Sequence, residues 1–268
     1  MRKIQFALLL AGSLFLSSVS AQQLRIYTSQ EPPLNFSEVY DEDAIYNNSV
    51  TGLATDVVRE IIKRTKTDAK IELVPWARGY TNAQKQENAV IYSIARLEQR
   101  ENLFHWVGPI AKQNAILYSK KGAKIKINNL DDLKKAGTIG TLRQDASELM
   151  LKEKGITNIH SYNSWAKGLK HLLLGKVELW THSDFDLPIV AERAHVELDR
   201  LEPVYTLYTS VLYIGFSKST STAIVKKWQS TLDTIKADGT FEQIVKKWAE
   251  YYKANWVVKD GMVQIKYE

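Results

Sequence analysis

Two arginines four residues apart stand in the segment "SIARLEQRENLFHWVGP" (93–109), directly after the apolar run "NAVIYSI" (88–94). A guanidinium is planar and meets a carboxylate with two parallel hydrogen bonds. Arg96 and Arg100 are therefore candidates for gripping an anion at a strand tip, against the alternative of a solvated helix start. Arg78 in "PWARG" follows another apolar run. Arg143 in "TLRQD" stands where a helix begins and free backbone N–H groups favour negative charge. Ser93 and Thr141 add hydroxyls beside these arginines. Phe36 and Trp76, with Trp180, offer flat faces for the apolar or cationic part of a ligand, although each is by default a core residue. Four arginines at one cleft need counter-charge. The pattern predicts a ligand with at least one carboxylate, or, for Arg78 or Arg96, structural ion pairs with Glu31, Glu98 or Asp184.

Catalytic and metal-binding patterns are lacking. The five histidines (105, 160, 171, 182 and 195) are dispersed, and the one dense cluster, His182–Ser183–Asp184–Phe185–Asp186, has no tight metal-ligand spacing. The sequence contains no G-x-S-x-G elbow, phosphate loop or H-E-x-x-H helix. No metal, no cofactor and no catalytic residue is expected. An enzyme would need a cleft acid with a raised pKa, for which Glu31 and Asp184 are the loop candidates.

These groups need a framework, and 268 residues with 44% hydrophobic and 25% charged side chains suffice for two compact lobes or one large domain. Residues 1–21 read as an export signal: "MRK" is a basic start, "FALLLAGSLFL" an apolar stretch too short to span a bilayer, and "SSVSA" a small-residue cleavage site after Ala21. Without cysteine, the exported chain relies on its core, and a periplasmic location is expected. The formal charge of +6 is scattered over segments such as "LKKAG" and "VKKW", which describes a solvated surface rather than a nucleic-acid stripe.

Periodicity supplies the elements. "LRIYTS" reads as a strand, "EPPLNF" as a rigid loop, "GLATDVVREIIKRT" as a helix, "KIELVPW" as a strand, "ARGYTNAQKQ" as a helix and "AVIYSI" as a buried strand. The rhythm restarts at 112–118. "NNLDDLKKAG", "TIGTL", "DASELMLKEKG", "IHSY", "SWAKGLKHLLLG" and "VELWTH" then alternate helix and strand, with Asp145 capping one helix. A β-rich stretch over 204–217 precedes two amphipathic helices, and 253–268 is an add-on strand or loose end. Such α/β units bind ligands beyond the carboxyl ends of their strands.

"EPPLNF", "GLATDVVREI", "PWARGY", "SIARLEQRENLFHWVGP", "NLDDLKKAGTIGTLRQD" and "KADGTFEQIVKKW", in this order, resemble the extracytoplasmic solute-binding proteins of family 3, which serve amino-acid ABC transporters. The resemblance covers about 24–252. It implies an α/β fold of the type II periplasmic-binding-protein kind, two α/β lobes joined by two crossovers with a ligand cleft between them. Lobe 1 would take 24–113 plus 206–252, lobe 2 114–205, and 253–268 would be an extension. It also implies a monomer that closes on a small anionic or zwitterionic solute and hands it to an inner-membrane ABC permease, or to a sensor. Arg100, six residues before Trp106, matches the position that grips the ligand carboxylate. Ala95 and Leu97 replace the hydroxyl residues usual along this strand end. The acid that would receive a ligand amine falls at Ser183, so Asp184, one residue on, is the candidate. A dehydratase- or lyase-type enzyme on the same fold is the competing class.

Overall fold

The computed structural model describes residues 23–38 and 49–267; the leader expected over 1–21 lies outside them. The strand β1 (Leu24–Thr28) is followed by two short strands, β2 (Phe36–Ser37) and β3 (Val50–Thr51), that pair with each other. The helix α1 (Leu53–Thr65) buries Leu53, Val57, Val58 and Ile61, as its 3.6-residue spacing predicts, with Ile62 half-buried at the edge of that face. Then come β4 (Ala69–Leu73), α2 (Trp76–Lys85) and β5 (Ala89–Ala95). β1 lies parallel between β4 and β5. Every residue of β5 is buried, which is what a short apolar run in the middle of a sheet requires.

After a 3₁₀ turn over Glu98–Leu103, β6 runs from Phe104 to Lys120. This strand starts earlier than the stretch 112–118 that its alternation marks. Gly108 and Pro109 interrupt the pattern, and Pro has no N–H to give a ladder. The side chain of Gln229 takes over locally: Gly108 N–H donates to Gln229 Oε1 (2.9 Å) and Gln229 Nε2 donates back to Gly108 O (3.0 Å).

A second α/β series follows. A 3₁₀ turn at Leu130–Lys135 opens on an Asn129–Asp132 capping box. It leads to β7 (Ile139–Leu142), α3 (Ala146–Glu153), β8 (Ile159–Tyr162), α4 (Trp165–Leu173) and β9 (Leu179–Ser183). The short α5 (Leu187–Arg193) was not among the elements read from the pattern. β10 (Leu201–Ser217) returns antiparallel to β6, and α6 (Thr222–Ala237) and α7 (Thr240–Tyr252) complete the first lobe.

One sheet carries both lobes, in the order β4-β1-β5-β10-β6-β9-β7-β8. β5 pairs with β10 only between Leu212 and Phe216, and β9 pairs with β6 only between Ala115 and Tyr118. The two seventeen-residue strands are thus the crossovers, each contributing one end to each half. One core gathers β1, α1, α6 and α7 around Trp228 and Phe241, and others gather α4 and β9 around Trp180, and β7 around Leu133 and Ile139. The expected α/β architecture with two lobes is the one observed.

The C-terminal segment is not a loose end. β11 (Trp256–Lys259) and β12 (Met262–Ile265) form a hairpin, and Val263 pairs with Ala111 of β6. Trp256 stacks on Phe185 with ring centroids 4.8 Å apart and planes 12° from parallel. Beyond the hairpin, the Tyr267 hydroxyl donates to Asp184 Oδ2 at 2.5 Å. The tail therefore ties the crossover to the loop after β9. Trp256→Ala, which removes a half-buried aromatic pair, is expected to lower unfolding stability by about 1–3 kcal/mol in urea titrations. An unchanged midpoint would show that the tail contributes nothing.

Candidate functional site

The 3₁₀ turn answers the question posed by the two arginines, because its tight winding sends them to opposite sides. Arg100 points inward and is 1% exposed, the third largest fully buried side chain among the described residues. Its guanidinium lies over the rings of Tyr80 (4.8 Å) and Trp76 (5.6 Å), which stand four residues apart on α2 and stack on each other. Nη1 donates to Ala95 O (3.3 Å) and Nη2 to Gln144 O (3.2 Å), while buried Nε has no protein partner. No carboxylate forms a salt bridge with it among the described residues. Arg96 faces out: it pairs with Glu101 at 2.5 Å and lies over Trp106 and Tyr213.

Arg100 borders a cavity of about 50 Å³ between the lobes. From the first lobe come Glu31, Trp76, Ser93 and Ala95; Asp145, Ser147, Trp165, His182 and Ser183 line it from the second. Gln113 and Tyr208, on the crossovers, complete it. Gln144 is the point of lobe contact, its carbonyl accepting from Trp76 Nε1 (3.0 Å) as well as from Arg100.

Backbone geometry sets each wall. The "EPPLNF" loop folds tightly, with Glu31 N–H donating to Asn35 O (2.7 Å) and Asn35 N–H donating back to Glu31 O (3.0 Å). It lies on the N-terminus of α1, whose Leu53 and Ala54 N–H groups donate to Pro33 O and Leu34 O. Only a glycine fits at position 52 beneath it: φ is +122° and a Cβ would stand 2.4 Å from Leu34 O. Ser93 adopts φ +59° at a bulge where the β5–β10 register shifts, and its buried hydroxyl has no protein partner. Asp145 caps α3 by accepting from Glu148 N–H at 2.7 Å.

The charge balance differs from the one that the loop arginines suggest. Of the four, Arg100 alone lines the cavity. Arg78 is exposed on α2, and Arg143 turns outward to donate to Asn163 Oδ1 (3.1 Å). Acids gather instead. Burial pushes the Asp145 carboxyl up to about 7, against a smaller opposing pull from its hydrogen bonds and Arg100. Burial also raises Glu31 well above the usual carboxylate range, and the charges of Asp186 and Asp145 push the same way. Asp186 is buried with its Oδ1 3.2 Å from His182 Nε2, and His182 stacks on Trp180.

The other expected contacts sit elsewhere. Asp184 is outside the cavity, accepting from Asn114 N–H (2.9 Å), Asn114 Nδ2 (2.7 Å) and Tyr267, so the tail takes up its carboxylate. Ser183 lines the cavity in its place, its hydroxyl donating to Gln113 Oε1 at 2.9 Å. Thr141 is buried on β7 with an unpartnered Oγ1, but does not border the cavity. Phe36 is core, edge-on to Trp248 and beneath Arg193. Trp76 and Ser93 do line the site. The sequence reading did not place Asp145, Tyr208, Trp165 and His182 there. Asp145 shows itself in sequence as a helix cap, which hides a second role, while Tyr80 is signalled by its i+4 spacing from Trp76.

A carboxyl raised by burial binds more protons folded than unfolded, so its contribution to stability falls as pH rises from about 4 through about 7. Asp145→Asn keeps a side-chain cap and removes this titration. Relative to the parent, the variant is expected to gain on the order of 2–4 kcal/mol between pH 4.5 and pH 8. Parallel pH profiles in urea unfolding would refute the assignment.

A cleft between two lobes on one shared sheet, with a buried arginine facing acids, is the setting in which the comparisons become informative. Residues 24–251 match the family model for bacterial extracellular solute-binding proteins, family 3. An arginine-binding periplasmic protein from Mannheimia haemolytica is 23% identical over 238 residues, 86% of this chain and 92% of its own. Among solved structures, a histidine kinase sensor domain with similarity to periplasmic binding proteins superposes with a TM-score of 0.72 at 15% identity, covering 85% of this chain and 96% of that one. An ancestral arginine-binding protein bound to arginine gives 0.69 at 19% identity, covering 84% and 97%. No described helix is long and apolar enough to cross a membrane. The chain belongs to the bacterial extracellular solute-binding proteins of family 3.

Proposed function

We propose that the protein is a periplasmic binding protein for an α-amino acid, closing its lobes on the ligand and delivering it to an inner-membrane ABC permease. The lobes in this reading are 24–113 with 206–252, and 114–205. The export signal ends at Ala21. The observation that carries the reading is the buried Arg100 guanidinium, which has no carboxylate salt bridge among the described residues, on the wall of an inter-lobe cavity. A ligand carboxylate supplies the counter-charge, and charge-assisted bonds of this kind contribute about 1.5–3 kcal/mol each. Ser93 Oγ provides a further polar contact.

The ammonium group goes to Glu31 and Asp145, whose raised carboxyls ionise more readily beside a cation. One guanidinium facing the carboxyls of Glu31 and Asp145 suits a zwitterion better than a dicarboxylate. The arginine-binding relative from Mannheimia haemolytica agrees with that sign of charge. Closure works through the Gln144 carbonyl, which draws together Trp76 and Arg100 of one lobe and the β7–α3 loop of the other. A sensor role is the second reading, favoured by the likeness to a histidine kinase sensor domain. Loss of radiolabelled ligand uptake on deleting the gene supports transport; unchanged uptake with a lost transcriptional response supports sensing.

Thermal-shift screening of the secreted protein against the common amino acids is expected to give at least one stabiliser, since a ligand at a hundredfold its Kd adds about 2.7 kcal/mol. Arg100→Lys keeps a charge but loses the planar fork, and its affinity by calorimetry is expected to fall at least about 30-fold with an unchanged circular dichroism spectrum. Affinity within threefold of the parent would remove Arg100 from the carboxylate site.

A further inference from the structure

The cavity at Arg100 has a larger neighbour between the lobes. At about 50 Å³ it offers room for a small charged head and none for a long side chain. A second space of about 880 Å³ adjoins it, and Trp76, Leu142 and Trp165 line both. That volume is in the range of sites for small organic ligands, about 300–1,000 Å³. Its walls are mostly apolar: Pro32, Val74 and Pro75 come from one lobe, Ile189 and Val190 of α5 from the other, and Tyr252 ends α7. The two tryptophans line both spaces, so whatever extends from the head passes beside an indole ring.

We infer that this groove is the side-chain subsite, and that it selects an amino acid with a large aromatic side chain. The inference rests on the reading that an amino-acid head sits at Arg100. Aromatic rings stack favourably on indole, contributing about 0.5–1.5 kcal/mol beyond their buried area. A cationic side chain finds poorer company along this path. Of the two acids on the groove, Glu38 already pairs with Arg193 at 3.4 Å and Glu192 is an exposed residue of α5, while the carboxyls of Glu31 and Asp145 line the head cavity.

Calorimetry on the secreted protein with alanine, arginine, phenylalanine and tryptophan tests the inference. Tryptophan and phenylalanine are expected to bind at least tenfold more tightly than alanine and arginine. Ala166→Trp, at a half-buried position on the groove wall away from the head cavity, is expected to weaken tryptophan binding at least tenfold and to leave alanine binding within threefold. Gln30→Trp fills the groove from the opposite lobe and gives the same readout should the first variant melt early. Arginine binding as tightly as tryptophan, or tryptophan binding unaltered in both variants, overturns the aromatic subsite while the amino-acid reading stands. Failure of every common amino acid to bind sinks both.

Discussion

A guanidinium removed from water, with no carboxylate salt bridge among the described residues, constrains everything around it. Burying an unpaired charge costs several kcal/mol, and the fold disperses the Arg100 charge rather than neutralising it. Two ring faces accept it from α2, two backbone carbonyls accept its N–H groups, and the Asp145 carboxyl acts from across the cavity. Each of these needs a separate piece of chain to be held still. α2 begins where "VPWARGY" turns from strand to helix, and the Trp76–Tyr80 pair follows from helical spacing. The Ala95 carbonyl is the last of β5, and the Gln144 carbonyl belongs to the other lobe. The charge is therefore fully accommodated only when the two lobes touch.

That requirement gives the long strands their purpose. β6 and β10 are paired almost from end to end, so relative motion of the lobes must bend or twist this ribbon rather than stretch a linker. Their register shifts, including the one between Thr206 and Tyr208, mark where the ribbon departs from regular pleating. The C-terminal hairpin lies against the same place through Val263 and Ala111, while Tyr267 and Trp256 reach to Asp184 and Phe185. The tail is thus anchored on both sides of the ribbon. Using Asp184 for that anchor has a consequence inside the cleft, where Ser183 presents a hydroxyl and the acid that accompanies Arg100 must come from Glu31 and Asp145.

The framework was legible because periodicity depends on which faces meet water. α1, β5, α4, α6 and α7 follow directly from apolar spacing, and the family likeness rested on ordered motifs along nearly the whole chain. Which side of a 3₁₀ turn an arginine occupies is set by three-residue winding and by the rings available to it, so Arg96 and Arg100 look alike in sequence and part in space. α5 escaped notice because seven residues are too few for a periodic signal, although Pro188 in its first turn is a helix-start cue. Of the cavity acids, Glu31 is marked in sequence by its loop, whereas Asp145 is hidden because it already has a local task as a cap.

The energetics of the cavity run against stability in a consistent direction. Ser93 holds a left-handed backbone, which costs a non-glycine residue about 1–2 kcal/mol. Its hydroxyl and the Arg100 Nε are buried donors without protein acceptors, each a penalty of about 1–3 kcal/mol. Burial, with the neighbouring acids adding to it at Glu31, raises the carboxyls of Glu31 and Asp145 and so disfavours their charged forms. Donors left over on one side and carboxylates lacking a cation on the other are opposite deficits. A molecule carrying a carboxylate and an ammonium a few bonds apart relieves both at once. A simple anion relieves the donors and adds to the repulsion among the carboxyls, and a simple cation does the reverse. On the proposed reading, the same residues that weaken the fold discriminate by charge pattern, and most strongly once water is excluded.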